Sequence, residues 1–256
     1  MEKLRVLDFV SHGSLYAWMP NAGLQPATDV VGGGLCRLHS LDGDMFPAPR
    51  THRLWAALTA AKAQEGAVPL THFGTSVARN GFQQLGHFLD VSGANLRTLR
   101  LDLRAISFLR QHNTINVFRS SGLSVSPCKS LHMLAIHLDV TWRSTGSDNL
   151  SVFAALLCTA APNTALERIT ITLDNLRAES LTMTGAPEAL DTLDRCMANF
   201  PRLQRVDWQL SPSMRHAHLP VDIAGTSPLL HLLEQRLPRL MRREGLRVTW
   251  TVLSRR

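Results

Sequence analysis

A repeat-built α/β fold, a solenoid of parallel strands with helices on one side, is predicted by three observations. First, one apolar spacing recurs along the chain, a residue followed by others at +3, +5 and +7. It runs through Leu96-Leu99-Leu101-Leu103, Leu131-Leu134-Ile136-Leu138, Leu166-Ile169-Ile171-Leu173 and Leu203-Val206-Trp208-Leu210, whose first residues lie 35, 35 and 37 positions apart. Second, helix-like stretches fill the intervals between these segments. Third, the last three apolar positions of each segment alternate with polar ones, the period of a strand that buries one face.

Taken in chain order, Met1 to Phe9 reads as a first repeat strand through Leu4, Leu7 and Phe9. Pro20 to Gly34 reads as a long loop, Leu35 and Leu38 are candidates for a second strand, and Leu54 to Ala63 reads as a short helix. Gly81 to Val91 is the first long helical stretch, followed by the strands through Leu99 and Leu134. Leu150 to Ala161 is the next helix and leads to the strand through Ile169. Ala186-Pro187-Glu188 puts proline and an acid in the first turn of a helix that runs on to Phe200. Ser227 followed by Pro228 caps a last helix over Pro228 to Arg243. Leu246-Val248-Trp250-Val252 closes the series as a final strand. Residues 1–79 are read as an irregular N-terminal repeat and loop region, and residues 80–256 as the solenoid, within one continuous domain.

Strands recurring with helices between them imply parallel pairing. A doubly wound sheet would bury both faces of its strands, whereas a sheet covered on one side keeps the alternation. Here the alternation is kept. The outward positions are Arg100, Asp102 and Arg104, then Ala135, His137 and Asp139, then Thr170, Thr172 and Asp174, then Asp207, Gln209 and Ser211. The apolar positions are core, each side chain contributing about 1.5–3 kcal/mol on burial.

Three stretches carry a family resemblance: Asn95-Leu96-Arg97-Thr98-Leu99-Arg100-Leu101, the run Leu190 to Val206 with its ending Leu193-Asp194 to Phe200-Pro201-Arg202-Leu203 and Val206, and Leu237-Pro238-Arg239-Leu240 before Leu246-Arg247-Val248. Over about residues 80 to 256 the chain resembles the irregular leucine-rich repeats of fungal, basidiomycete-type F-box proteins. The resemblance implies a leucine-rich-repeat-like solenoid and a role in reading a protein substrate. The repeats are longer than the usual 20 to 29 residues and lack an asparagine ladder. No Leu-Pro opening of an F-box is recognisable near the start. Docking on a ubiquitin-ligase adaptor therefore has little support in the sequence.

The composition, 45% hydrophobic over 256 residues, suffices for a sizeable core. The longest apolar stretch, Leu150 to Pro162, is too short to cross a bilayer, and the N-terminus lacks the pattern of an export signal. Cys36, Cys128, Cys158 and Cys196 are scattered singly, which fits a reduced intracellular compartment, cytoplasmic or nuclear. The net charge of +7 rests on 24 arginines and three lysines that are dispersed along the chain, so nucleic-acid binding is the alternative reading and not the main one.

Catalytic and metal patterns are weak. Gly32-Gly33-Gly34 lacks the Gly-Lys-Ser/Thr of a phosphate loop, Ser11-His12-Gly13-Ser14 with Asp44 lacks a nucleophile elbow, and His216-Ala217-His218 with Asp222 sits among prolines and serines. The expectation is a non-enzymatic protein-interaction scaffold without cofactor or metal. Its contacts to a protein or peptide ligand are expected from Arg100, Asp102, Arg104, His137, Asp139, Thr172, Asp174, Asp207 and Gln209 on an open, solvated strand face.

Overall fold

The computed structural model describes residues 7–9, 39–43, 56, 58–67, 69–77, 81–104, 114–140, 146–160, 165–176, 181, 185–212 and 228–252. One sheet contains all the strands among the described residues: β1 (Leu7–Phe9), β2 (Ser40–Gly43), β3 (His72–Ser76), β4 (Thr98–Asp102), β5 (Met133–Asp139), β6 (Arg168–Leu176), β7 (Arg205–Pro212) and β8 (Arg247–Val252). Their order in the sheet is their order in the chain, and every neighbouring pair is parallel. Residues 58–63 are helical, within the short helix predicted over Leu54 to Ala63, and after β3 come the helices α1 (Phe82–Ser92), α2 (Thr114–Ser120), α3 (Gly146–Cys158), α4 (Ala186–Ala198), α5 (Pro228–Arg236) and α6 (Pro238–Met241). The protein is thus α/β with a single all-parallel sheet.

The recurring spacing becomes columns running across the strands. Phe73, Leu99, Leu134, Ile169, Val206 and Val248 stand in register, as do Leu101, Ile136, Ile171, Trp208 and Trp250. Both columns belong to one continuous core shared with the apolar faces of the helices. Trp208 and Trp250 stack in their column with centroids 5.5 Å apart. The starts of β3 to β7 share one repeated device, a backbone carbonyl that accepts from two successive N–H groups at the start of the next strand. The Thr71 carbonyl takes Arg97 and Thr98, that of Arg97 takes His132 and Met133, that of His132 takes Glu167 and Arg168, and that of Glu167 takes Gln204 and Arg205.

Helix α3 packs between α2 and α4, and α4 also meets α5 and α6. In α1, Phe82, Leu85, Phe88 and Leu89 recur at helical spacing and are buried, Phe88 lying 4.7 Å from Phe73 of β3 between ring centroids. Gly86 of α1 permits a close approach, since a Cβ there would stand 3.2 Å from the Leu123 Cα. The last helical stretch is two helices and not one. Pro238 opens α6, because its ring cannot donate the backbone bond that would have continued α5.

The N-terminal region holds more regular structure than its sequence announced. Strand β2 lies just beyond the predicted candidates Leu35 and Leu38, which fall outside the described residues, and β3 was not expected. Because β3 pairs with β4, the sheet runs unbroken across the proposed boundary at residue 79. Leu70, Phe73, Thr75 and Val77 keep the repeat spacing, with a threonine in the third place that hides the pattern.

Candidate functional site

The residues between the apolar columns form polar columns on the opposite face of the sheet. Ser76, Asp102, His137, Thr172, Gln209 and Thr251 stand in one register row, and Arg100, Ala135, Thr170, Asp207 and Thr249 in the row before it. Every predicted contact residue lies on this face. The structure divides them into two groups, one near the C-terminal ends of the strands and one near the N-terminal ends.

The strand-end group is built around three carboxylates, Asp102, Asp174 and Asp139. Asp102 accepts from the backbone N–H of Arg104 at 3.0 Å, from its Nε at 3.0 and 3.1 Å and from its terminal nitrogen at 2.6 Å. The Ser76 hydroxyl adds a bond of 3.3 Å. Arg104 reaches on to Asp174 at 3.5 Å, and His137 Nε2 lies 3.0 Å from the same carboxylate, close enough to pair when protonated but outside hydrogen-bond geometry. Asp139 accepts from Asn175 Nδ2 at 3.0 Å, and its backbone carbonyl takes Asn149 Nδ2 of α3 at 2.7 Å. Asn175 adopts φ 57° where β6 bulges, a left-handed conformation that asparagine tolerates. Burial alone would raise the Asp102 pKa, but the side chain and backbone N–H of Arg104 outweigh it and hold the carboxyl below its usual value.

The second group centres on Asp207. Its carboxylate accepts from Arg168 Nε at 2.7 Å and pairs with the same guanidinium at 2.6 Å, while Arg205 Nε donates at 2.7 Å and the Thr249 hydroxyl also donates. These bonds outweigh burial and keep Asp207 below the ordinary aspartate pKa. In the same row as Asp207, Thr170 is 8% exposed and its hydroxyl oxygen has no hydrogen-bond partner among the described residues.

The face is less solvated than expected. Asp139, Asp174 and Asp207 are 9%, 6% and 5% exposed, so they are not the solvent-facing carboxylates that the alternation predicted. The reason is lateral: in a parallel sheet each outward side chain stands about 4.8 Å from its neighbours on both flanking strands, so Arg104 reaches Asp174, Arg168 and Arg205 fold onto Asp207, and Asn175 bonds to Asp139. Arg100 and Arg104 are exposed, while Asp102, His137, Thr172 and Gln209 are half-buried, Thr172 donating to Gln209 Oε1 at 3.0 Å.

Sequence reasoning missed Asn149, Asn175, Arg168, Arg205, Thr249 and Ser76. Extending the alternation one step back from each predicted outward position would have found Arg168 and Arg205, and with them Arg247. It would also have shown that arginines dispersed in sequence are gathered in space. Arg97 and Lys129 precede β4 and β5, Arg202 precedes β7, Arg242 and Arg243 precede β8, and Arg168, Arg205 and Arg247 open their strands. Parallel strands begin at one edge, so eight cations share it, against the described carboxylates of Glu167, Glu244 and Asp207. The strand-end edge carries Asp102, Asp139 and Asp174 against Arg104.

No three histidine, cysteine or acidic side chains come together as a metal site among the described residues. The histidine pair 216 and 218, the glycine run 32–34 and the serines 11 and 14 lie outside them. Among the described residues no helix is long and apolar enough to cross a membrane. No family model, curated protein or solved structure matches the chain.

Proposed function

We propose that the chain is a leucine-rich-repeat-like solenoid, its helices on one side, that serves as a protein-interaction scaffold. The observation that carries this reading is the set of polar columns in register from β3 to β8, opposite the face that forms the core. A rigid sheet of this kind holds many hydrogen-bonding and charged side chains in fixed relation, which suits recognition of an extended surface better than chemistry on a small substrate. Substrate reading of the kind that F-box leucine-rich-repeat proteins perform fits the same face, and it is the form that the sequence resemblance favours. A second reading, nucleic-acid binding, is favoured by the basic strand-start edge. Against it, the described outward positions hold no phenylalanine, tyrosine or tryptophan on which a base could stack.

The test is affinity capture from a native cell extract at low and moderate salt, with and without nuclease, using the wild type and the variant R100A/T172A/Q209A. Thr172 and Gln209 bond to each other, so removing both leaves no orphaned partner from that pair, and the melt should be kept. Salt-resistant protein partners that the variant loses support the scaffold. Partners retained in full by the variant place binding off this face, and recovery that nuclease abolishes favours nucleic acid.

A further inference from the structure

We infer that the strand-start edge docks an acidic peptide segment of a protein partner, with Arg168, Arg205 and Arg247 as the receiving row and Arg202 beside it. The inference rests on the scaffold reading and gives its partner a chemistry.

Arg168, Arg205 and Arg247 open three neighbouring strands at paired register positions, so their side chains leave the sheet on one face, about 4.8 Å from strand to strand. Asp207 is the carboxylate that compensates this row, and it is shared between two of the three guanidinium groups. Arg247 and Arg202 are exposed and have no ion-pair partner among the described residues. The row therefore carries an uncompensated double positive charge on side chains already aligned by the sheet, which lowers the ordering cost of binding.

The geometry selects among anions. A guanidinium presents a planar fork that matches a carboxylate bidentately, and the bonds of Arg168 and Arg205 to Asp207 show that these arms already bind one in that position. A nucleic acid would lay its phosphates here too. It would then meet an outward face with no stacking platform and, toward the strand ends, the carboxylates of Asp102, Asp139 and Asp174. An acidic peptide is short enough to remain at the basic edge, whereas a continuous phosphodiester chain carries its charge past it.

The experiment is fluorescence anisotropy on the full chain with three fluorescein-labelled probes: a synthetic peptide rich in aspartate and glutamate, its asparagine and glutamine counterpart, and an oligothymidylate of equal charge. The acidic peptide is expected to bind, the neutral peptide not to bind, and the oligothymidylate to bind more weakly at physiological salt. R202E/R247E alters two exposed side chains without ion-pair partners among the described residues, so it should keep the wild-type melt while weakening the acidic peptide at least about tenfold. Failure of the acidic peptide to bind, unchanged affinity in R202E/R247E, or tighter binding of the oligothymidylate would each overturn the inference. If the peptide fails while R100A/T172A/Q209A still loses a salt-resistant partner, only the inference falls and the scaffold reading stands. Loss of both results removes both.

Discussion

Asp207 and Asp102 show how the outward face is held at the level of single groups. Each carboxyl is kept below its ordinary pKa in the folded chain, so each adds stability that is fully present above the unfolded value of about 4 and is lost as pH falls through the folded value. Thermal midpoints measured from pH 7 down to about pH 2.5 should fall more steeply for the wild type than for Asp207→Asn. Parallel curves would remove Asp207 from this role. Thr170 predicts the opposite sign, since its buried hydroxyl lacks a partner among the described residues and valine has nearly the same shape. Thr170→Val should melt no lower than the wild type, by the logic that an unpaired buried polar group costs about 1–3 kcal/mol. Cys128 is fully buried, and burial, with the Asp90 charge adding to it, pushes its thiol up to about 12. It should resist thiol reagents at neutral pH until the protein unfolds, whereas exposed Cys158 should react in the native state. At this scale the sequence told which residue types point outward, because alternation is a local property. It could not tell that Asp139, Asp174 and Asp207 would be covered, because the arms that cover them come from positions up to 70 residues away in the chain.

Among the elements, α4 and α6 are joined by reciprocal capping. Asp194, buried in α4, accepts from the backbone N–H groups of Arg239 at 3.1 Å and Leu240 at 2.7 Å, the unsatisfied donors at the start of α6. In return Arg243, just beyond α6, donates to the carbonyls of Met197 and Ala198 at the end of α4 and to that of Phe200. Each bond places charge where a helix terminus favours it. Asp194→Ala should lower the unfolding free energy by about 2 kcal/mol or more in a denaturant titration, because two buried donors lose a charged acceptor. An effect within about 0.5 kcal/mol would mean that other groups satisfy those donors. The long helices were legible from their apolar spacing, to within a few residues at the ends. Helix α2 was not: its seven residues, Thr114 to Ser120, are rich in residues of modest helix propensity, and packing against α3 is what holds them. Strand β3 escaped for a different reason. Its outward residues are His72, Gly74 and Ser76, and Thr75 stands where the other repeats place Leu101 or Ile136, so both the strand signal and the repeat signal were diluted.

For the molecule as a whole, the columns make neighbouring segments depend on one another. Ile171 is fully buried between Ile136 and Trp208 in its column, and Ile171→Asp would place an unpaired carboxylate in the continuous core. Loss of the cooperative melt by circular dichroism is the expected outcome, and a retained two-state melt would contradict the continuity of the core. The register steps between adjacent strands range from 26 residues, Phe73 to Leu99, to 42, Val206 to Val248. Because every strand pairs with its immediate predecessor, that variation is absorbed in the connections and leaves the pairing untouched. The order of pairing is also the order of synthesis. As the chain leaves the ribosome, each new strand finds its partner already outside, and none has to wait for a strand not yet made; the protein can therefore be assembled from its first strand onward while translation is still in progress.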